Sequence, residues 1–315
     1  MNYIAGVDIG GTNTKIGIVD EMGEILIKRN MKTFSFEGAE QTMIRIWKVI
    51  KEMLSSLNIN EEDLKGVGMG IPGPVMNKKI VGFFANFPWE RNLNISKIFE
   101  NISGKITRLD NDVNVIALGE ARFGAGKGAT SSVTIALGTG IGGGIYVNGN
   151  NISGFTGAGG EIGHMKLVKN GKLCGCGQRG CFEAYASATG IEREAISRLL
   201  VDKKNLLFKK IKGDISKLEA KDVFDAAKEG DTFSLEIVNY EAEYLAMGIG
   251  NILNIINPER VIISGGVALA GDILLDKVKE KLPKYALPIT LQDINIVFGI
   301  LGNDAGIKGA AALIE

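Results

Sequence analysis

One short segment contains every histidine and cysteine of the chain, and this clustering constrains how the region can fold. The sequence contains 1 His and 3 Cys, and they are His164, Cys174, Cys176 and Cys181. One imidazole and three thiols are the donors of a closed structural zinc site, and the intervening glycines let the backbone wrap a metal closely. The alternatives are three buried core thiols beside an ordinary histidine, or a disulfide, which cannot pair three thiols completely. The clustering favours zinc.

Two glycine-turned hairpins of one design recur in the chain. In each, a buried strand enters a glycine-rich loop and the chain returns as a second strand. The first hairpin has strands at residues 3–9 and 15–19 around loop 10–14; the second has strands at 132–137 and 145–147 around loop 138–144. Backbone N–H groups in such loops suit phosphate oxygens, although a single glycine turn is a weak signal. The repetition indicates an internal duplication and favours phosphate binding by both loops.

Three polar residues, Asp110, Asn111 and Asp112, end a predicted strand over residues 105–109. Asp and Asn are good caps for the helix that should follow. Polar side chains at the end of a buried strand in an α/β sheet also lie where ligands bind. Elsewhere, the clearest helical periodicity runs over residues 37–57 and indicates core packing. The Lys-rich residues 201–221 are predicted to form a solvated surface excursion.

The segment with the cysteines resembles the signature of the ROK family of sugar kinases. Gly163-His164, nine residues, and then Cys-x-Cys-Gly-x-x-Gly-Cys-x-Glu match that signature, and the resemblance extends from Asp8 to Leu313. It implies an actin-like, ribonuclease-H-like duplicated α/β fold with two lobes and a cleft between them. The implied smaller lobe spans residues 1–115, with a C-terminal helix over 303–315 packing back on it. The larger lobe spans 116–302 and contains the zinc knuckle.

For the nucleotide, the resemblance implies binding of ATP with Mg²⁺. Asp8 would hold Mg²⁺ or its water, and the two glycine loops would bind the phosphates. The strand–Gly–Gly turn at residues 260–266 would contact adenosine. The implied ATP-binding residues are Asp8, Gly10, Gly11, Thr12, Asn13, Lys15, Gly138, Thr139, Gly140, Gly142, Gly143, Gly265 and Gly266.

For the sugar, the resemblance implies that Asp112 is the general base that accepts the proton of the attacking hydroxyl. Glu161 and Glu183 would accept hydrogen bonds from sugar hydroxyls, and His164 would both bind zinc and touch the sugar. The stretch 86–89 suits a sugar face or equally a lid on the core. The implied substrate-binding residues are Asn86, Asn111, Asp112, Glu161, His164 and Glu183.

Composition limits the classes of partner. The 36 Lys and Arg residues balance the 36 Asp and Glu residues, so nothing suggests a nucleic-acid or membrane-surface footprint. No apolar run approaches the length of a membrane span, and reduced thiols held by a metal fit a cytoplasmic protein. The resemblance implies a homodimer or homotetramer.

We therefore expect an ATP-dependent hexose kinase of carbohydrate metabolism that phosphorylates the 6-hydroxyl of glucose. A kinase for N-acetylmannosamine, N-acetylglucosamine or fructose remains an alternative, because the implied hydroxyl acceptors are shared. A sugar-responsive ROK transcriptional regulator is more remote, since the first strand begins at Tyr3 and leaves no room for a preceding DNA-binding domain.

Overall fold

The computed structural model describes residues 2–84 and 87–314, which form two large sheets, one small sheet and the helices around them. The strands are β1 Tyr3–Ile9, β2 Asn13–Val19, β3 Ile25–Lys32, β4 Leu64–Ile71, β5 Val75–Met76, β6 Ile80–Val81, β7 Leu93–Asn94, β8 Ile106–Asn111, β9 Ser131–Leu137, β10 Ile141–Val147, β11 Asn150–Asn151, β12 Arg260–Ser264 and β13 Asn295–Phe298. The α-helices are α1 Ala39–Ser56, α2 Ile95–Ser103, α3 Asp112–Phe123, α4 Glu183–Ala186, α5 Ala188–Leu199, α6 Leu206–Lys210, α7 Ala220–Lys228, α8 Thr232–Ile256, α9 Asp272–Lys281, α10 Pro288–Leu291 and α11 Ala305–Ala311.

The two large sheets repeat one topology. Their strand orders are β3-β2-β1-β4-β8 and β11-β10-β9-β12-β13. In the first sheet β1, β2 and β3 form an antiparallel meander, and β4 and β8 add in parallel beside β1. The second sheet has the same antiparallel β10–β11 and parallel β12–β13 pairs. The repeated order confirms the predicted duplication and the duplicated ribonuclease-H-like α/β fold.

The chain divides into two compact units. The first comprises residues 1–134, 144–160 and 299–315, and the second comprises residues 135–143 and 161–298. The predicted lobe boundary between residues 115 and 116 falls inside α3, which belongs whole to the first unit. The division into lobes at residues 115 and 116 therefore stays a prediction. Among residues 2–84 and 87–314, every helix is too short or too polar to span a lipid bilayer.

The second glycine loop is shorter than predicted. Loop 138–144 was expected, but β10 begins at Ile141, so Gly142 and Gly143 are strand residues. Packing explains part of this glycine run, because a Cβ on Gly144 would lie 2.3 Å from the Ala117 Cβ of α3. That glycine permits close approach of a helix to the strand and does not form a turn.

One face of the first sheet is covered by α1 and α2. The predicted stripe of α1 is confirmed: its buried residues include Met43, Ile46, Trp47, Ile50, Met53 and Leu54. They join one apolar core with the buried residues of β1, β2 and β4. Trp47 packs edge-to-face on Phe99 of α2, with ring centroids 6.1 Å apart. Burial of this helical stripe explains why the periodicity was readable from sequence.

The other face of the sheet is in backbone contact with α11. A Cβ on Gly6 would lie 2.1 Å from the Ile307 carbonyl oxygen, and one on Gly68 would lie 1.7 Å from that of Ala310. Helix α3 approaches α11 equally closely, because a Cβ on Gly309 would lie 1.7 Å from the Val115 carbonyl oxygen. Glycine is required where two backbones approach this closely. These contacts therefore place α3 and α11 on the sheet with little freedom to shift.

We expect Gly309→Ala to destabilise the protein. Alanine favours a helix by about 1 kcal/mol over glycine, but here its methyl group would meet the Val115 carbonyl, and overpacking costs roughly 1–3 kcal/mol. Urea unfolding should show a lower midpoint for the variant. Gly266→Ala, measured without nucleotide, is the control, because a Cβ there has nothing within 4 Å. Equal or greater stability of Gly309→Ala would mean that the α3–α11 contact is looser than described.

Candidate active site and metal centre

The four predicted metal ligands converge in the second unit. One donor atom from each of His164, Cys174, Cys176 and Cys181 lies within 4.8 Å of the others. The Sγ atoms of Cys176 and Cys181 are 3.7 Å apart, and Cys174 Sγ lies 3.8 Å from His164 Nδ1. Tetrahedral zinc bonded to sulfur at about 2.3 Å gives S–S edges of about 3.8 Å. The donor set and its spacing therefore fit a closed tetrahedral metal site.

The cysteine loop holds this geometry with its own backbone. The Cys174 N–H donates to the Gln178 carbonyl at 2.8 Å, and the Phe182 N–H donates to the Met165 carbonyl at 2.8 Å. Gly180 has φ 83°, and a Cβ there would lie 1.8 Å from the Val168 carbonyl oxygen. The loop thus folds tightly enough to bring ligands on both sides of the turn together.

The three cysteines are free thiols in an environment suited to a metal. Burial, followed by the hydrogen bond to Glu183, raises the pKa of the Cys174 thiol, so a metal must displace its proton on binding. Lys166 Nζ donates to Cys181 Sγ at 2.7 Å. A divalent ion bound by three thiolates and a neutral imidazole would carry one net negative charge. The Lys166 cation would then face that charge.

The predicted hydroxyl acceptors of the second unit surround this centre. His164 directs Nδ1 toward Cys174, and its Nε2 lies 3.9 Å from Glu161 Oε2. Glu183 begins α4, and its Oε1 lies 2.8 Å from Cys174 Sγ and 3.7 Å from His164 Nδ1. Its Oε2 accepts from the Ile141 N–H at 3.3 Å. The structure therefore brings Glu161, His164 and Glu183 together. Two of these residues, His164 and Glu183, contact Cys174 of the candidate metal site.

The first unit gathers carboxylates at the ends of its parallel strands. Asp8 is the last but one residue of β1, and Asp112 begins α3 directly after β8. Burial raises the pKa of Asp112, and hydrogen bonds from backbone N–H groups oppose that shift. Burial also raises the pKa of Asp8; Lys15 acts against this and the charge of Asp112 adds to it. The charge of Asp112 therefore acts on Asp8, which places the two carboxyl groups near each other in this unit.

Asn111 is a helix cap as well as a neighbour of Asp112. Its Oδ1 accepts from the N–H groups of Val113 at 2.9 Å and Asn114 at 3.4 Å, and its Nδ2 donates to the Gly73 carbonyl at 3.2 Å. The capping interpretation is therefore confirmed for Asn111. The cap also directs Asp112 into the first turn of α3, where its Oδ1 accepts from the Val113 N–H at 3.0 Å.

The first glycine loop is exposed at the edge of the sheet. Gly11, Thr12 and Asn13 are exposed, and the Gly10 N–H donates to the Asn13 carbonyl at 3.0 Å. Lys15 Nζ lies 3.9 Å from the carboxylate of Asp8. The loop therefore presents backbone donors and one cation beside a half-buried carboxylate, which suits a phosphate with its metal ion. Asn86, the remaining predicted substrate contact, lies outside the described residues.

A cavity of about 430 Å³ lies in the second unit beside the second glycine loop. Three predicted ATP-binding residues line it, namely Gly138, Thr139 and Gly266. Its apolar wall also includes Phe224 and Val267, so it suits a flat heterocycle next to a phosphate-binding loop. The remaining lining residues are Ala188, Glu192, Glu219, Ala220, Lys221, Asp225 and Ala270.

The other predicted ATP residues of this unit have different surroundings. Gly142 and Gly143 lie inside β10 and do not line that cavity. Gly265 has φ 88°, and a Cβ there would lie 2.4 Å from the Leu137 carbonyl oxygen, so it makes the turn after β12 possible. A Cβ on Gly140 would lie 2.6 Å from Glu183 Oε2. This glycine therefore leaves room for a predicted hydroxyl acceptor.

Sequence reasoning missed the start of α7 as part of the cavity. Residues 219–221 close the Lys-rich stretch that was expected to be only a surface excursion. A signal was present, because Glu219 and Asp222 form a capping box and so mark a helix start. That pattern locates a helix but says nothing about what its first turn faces.

Comparison with known proteins covers nearly the whole chain. The family model described as the ROK family matches residues 4–315. The chain is 39% identical to a glucokinase of Thermotoga maritima over 313 residues, covering 99% of this chain and 97% of that protein. It is 38% identical to a glucokinase of Halalkalibacterium halodurans, covering 99% of this chain and 95% of that protein. It superimposes on a ROK family glucokinase from Streptomyces griseus, solved with glucose and AMPPNP, with a TM-score of 0.80, 32% identity and 99% coverage of both chains.

Proposed function

The chain belongs to the ROK family, and from this premise we propose that it is a glucokinase, transferring the γ-phosphoryl group of ATP to the 6-hydroxyl of glucose. Full-length similarity to two bacterial glucokinases supports the sugar, and similarity to the glucokinase solved with glucose and AMPPNP supports ATP as the donor. The observation that carries the proposal is the half-buried carboxylate of Asp112, which begins α3 directly after β8 and whose pKa is raised by burial. Such a group is a suitable proton acceptor for a hydroxyl nucleophile.

We propose that Asp112 orients the attacking hydroxyl and accepts its proton, while Asn111 binds a neighbouring hydroxyl. The transition state of phosphoryl transfer is loose, so placement and charge neutralisation supply most of the catalysis. The N–H groups of Gly11 and Thr12 would donate to phosphate oxygens, and Asp8 would hold Mg²⁺ or its water. When bound with ATP, Mg²⁺ supplies charge neutralisation at the transferred group.

The acceptors Glu161, His164 and Glu183 would bind hydroxyls of the sugar. Each buried hydroxyl left unpaired costs about 1–3 kcal/mol, so a polyol needs several acceptors in fixed places. We propose that zinc occupies the site of His164 and the three cysteines, and that it acts as a structural crosslink. All four of its positions would be filled by protein, so no bound water would be available for chemistry.

The cavity beside Gly138 and Thr139 is the proposed place for the adenine base. Its apolar wall at Phe224 and Val267 would cover the ring, and Gly266 would allow close approach of the nucleoside. The remaining ATP residues, including Gly140, Gly142, Gly143, Asn13 and Lys15, stay predictions. The cytoplasmic location and the homodimeric or homotetrameric state also stay predictions.

We expect Asp112→Asn to remove the base and leave the fold intact, because the amide is isosteric. The value of kcat should fall by about 100- to 10,000-fold, with little change in the KM for glucose. In the wild type, kcat should fall as pH drops through the raised pKa of Asp112, because the protonated carboxyl cannot accept a proton. This acidic limb should disappear in the variant.

Asp63→Asn is the control for this substitution, since Asp63 is an exposed carboxylate of the same unit. It should leave kcat and its pH profile unchanged. Near wild-type turnover of Asp112→Asn would refute the assignment of the base.

A coupled assay over a panel of sugars tests the substrate. We expect kcat/KM for glucose to exceed that for N-acetylglucosamine, N-acetylmannosamine and fructose by at least about tenfold, because groups that misfit a hydroxyl-lined pocket cost 10-fold or more. Preference for an N-acetylhexosamine or fructose would favour the alternative kinases. Phosphorylation of no sugar would refute the proposed activity.

Elemental analysis should find about one zinc per chain. Cys176→Ser removes one ligand and should lower the zinc content. It should also lower the thermal midpoint by about 4 °C or more, the shift that one to two kcal/mol produces in a domain of 150–250 residues. Gln178→Ala is a control in the same loop that keeps the backbone hydrogen bond to Cys174. A wild-type protein free of zinc after purification without chelator would contradict the proposed crosslink.

A further inference from the structure

A buried carboxylate, Asp110, directly precedes the proposed base and is absent from the sugar-binding residues identified above. Asp110 is the last but one residue of β8 and is 4% exposed. Its Oδ1 accepts from the Asn111 N–H at 2.8 Å and from Asn114 Nδ2 at 2.8 Å. Its Oδ2 accepts from Asn151 Nδ2 at 3.4 Å. Three N–H donors therefore converge on one carboxylate.

Asn151 links this carboxylate to a second segment. It ends β11, and its Nδ2 also donates to the Asn114 carbonyl at 2.8 Å. Its side-chain oxygen Oδ1 is buried and has no hydrogen-bond partner among residues 2–84 and 87–314. Residues 152–160 of the same unit continue from Asn151 toward Glu161. One amide thus joins the end of β8, the first turn of α3 and the start of this segment.

The hydrogen-bond pattern requires a carboxylate at position 110. An asparagine could keep its oxygen toward Asn111 and Asn114, but its NH₂ group would then face the NH₂ group of Asn151. Turning the amide over would instead place its NH₂ group against the two other donors. Rotating Asn151 would break its bond to the Asn114 carbonyl. Every arrangement therefore either leaves two donors in contact or loses a hydrogen bond, although Asn and Asp have nearly the same shape.

The surroundings act on this carboxyl group in two opposing directions. Burial raises the pKa of Asp110, while the hydrogen bonds from Asn114, Asn111 and Asn151 act in the opposite direction. Each N–H donor that points at the carboxylate stabilises its charged form and so offsets part of the cost of burial.

We propose that Asp110 is a positioning residue for the reaction: through Asn114 and Asn151 it holds the Asn111–Asp112 turn and the start of the 151–160 segment in one fixed arrangement. It touches neither substrate nor nucleotide. It acts by fixing the backbone of Asn111, whose side chain caps α3 and so directs Asp112. This inference rests on the proposed function only for its kinetic consequences, because the hydrogen-bond arrangement is independent of the substrate.

The kinetic test is a double-mutant cycle of Asp110→Asn and Asn151→Ala with glucose and ATP. Asp110→Asn should lower kcat by about 10- to 100-fold, since small displacements of a catalytic group cost this much, with a smaller change in KM. The acidic limb of the pH profile should persist, because Asp112 is still present. In the Asn151→Ala background the donor clash is gone, so Asp110→Asn should cost less than about threefold; such non-additivity identifies a direct interaction.

A second measurement does not depend on activity. Hydrogen exchange followed by mass spectrometry should show faster exchange for peptides covering residues 111–116 and 151–160 in Asp110→Asn, with α1 unchanged. The control Asp63→Asn should leave all three regions unchanged. If no sugar is phosphorylated, the proposed function fails while the exchange result still decides the role of Asp110.

The inference is overturned by either of two kinetic results: a kcat of Asp110→Asn within twofold of wild type, or an equal loss in both backgrounds. Unchanged exchange in residues 111–116 and 151–160 would overturn it as well. Loss of the acidic limb in Asp110→Asn would identify Asp110 itself as the base. That outcome would contradict both the positioning role and the assignment of Asp112.

Discussion

The site of the first unit depends on direct backbone contact between α11, β1, β4 and α3. The contact exists because glycines stand where side chains would collide, notably at Gly6, Gly68 and Gly309. Helix α11 begins beside β1, where a Cβ on Gly306 would lie 2.6 Å from Asp8 Oδ2. A backbone interface has few ways to rearrange, since it lacks rotamers that could absorb a shift. The end of β1 and the first turn of α3 are therefore held in one geometry, and with them the two carboxylates proposed to serve the metal and the sugar.

The polar groups of the second unit are held in a different way. Its predicted hydroxyl acceptors lie on loops and on the four-residue helix α4, whose Ala184 and Tyr185 pack with Cys174 and Cys181 in a small apolar cluster. Glu183 and His164 each contact the sulfur of Cys174. The Lys166 cation contacts Cys181 Sγ and would face the negative charge of a thiolate-rich centre. One unit thus fixes its polar groups by glycine packing, and in the other we propose that a metal ion adds a crosslink.

Several site features were readable from the sequence because their signals are local. The cysteine spacing, the glycine turn after β1 and the polar triplet Asp110–Asp112 each depend on neighbouring residues alone. The triplet lies at the junction of β8 and α3, although β8 extends to Asn111 and so ends later than the predicted strand 105–109. The second glycine loop was predicted too long, since glycines required for close approach of α3 look the same in sequence as glycines required for a turn. The first turn of α7 was missed altogether. Its capping box marks a helix start but gives no information on the cavity that the helix borders.

The sequence by itself determined the duplicated hairpins, the metal-ligand set and the resemblance to one family, because each is a pattern of residue types at short spacing. Only the tertiary structure decided which polar groups share hydrogen bonds, as in the convergence of Asn111, Asn114 and Asn151 on Asp110. It also decided which glycines are packing sites and which residues of distant helices line the cavity beside Gly138. These are contacts between residues tens of positions apart, and they are set by how helices lie on a sheet. No periodicity or spacing within a short window of sequence contains that information.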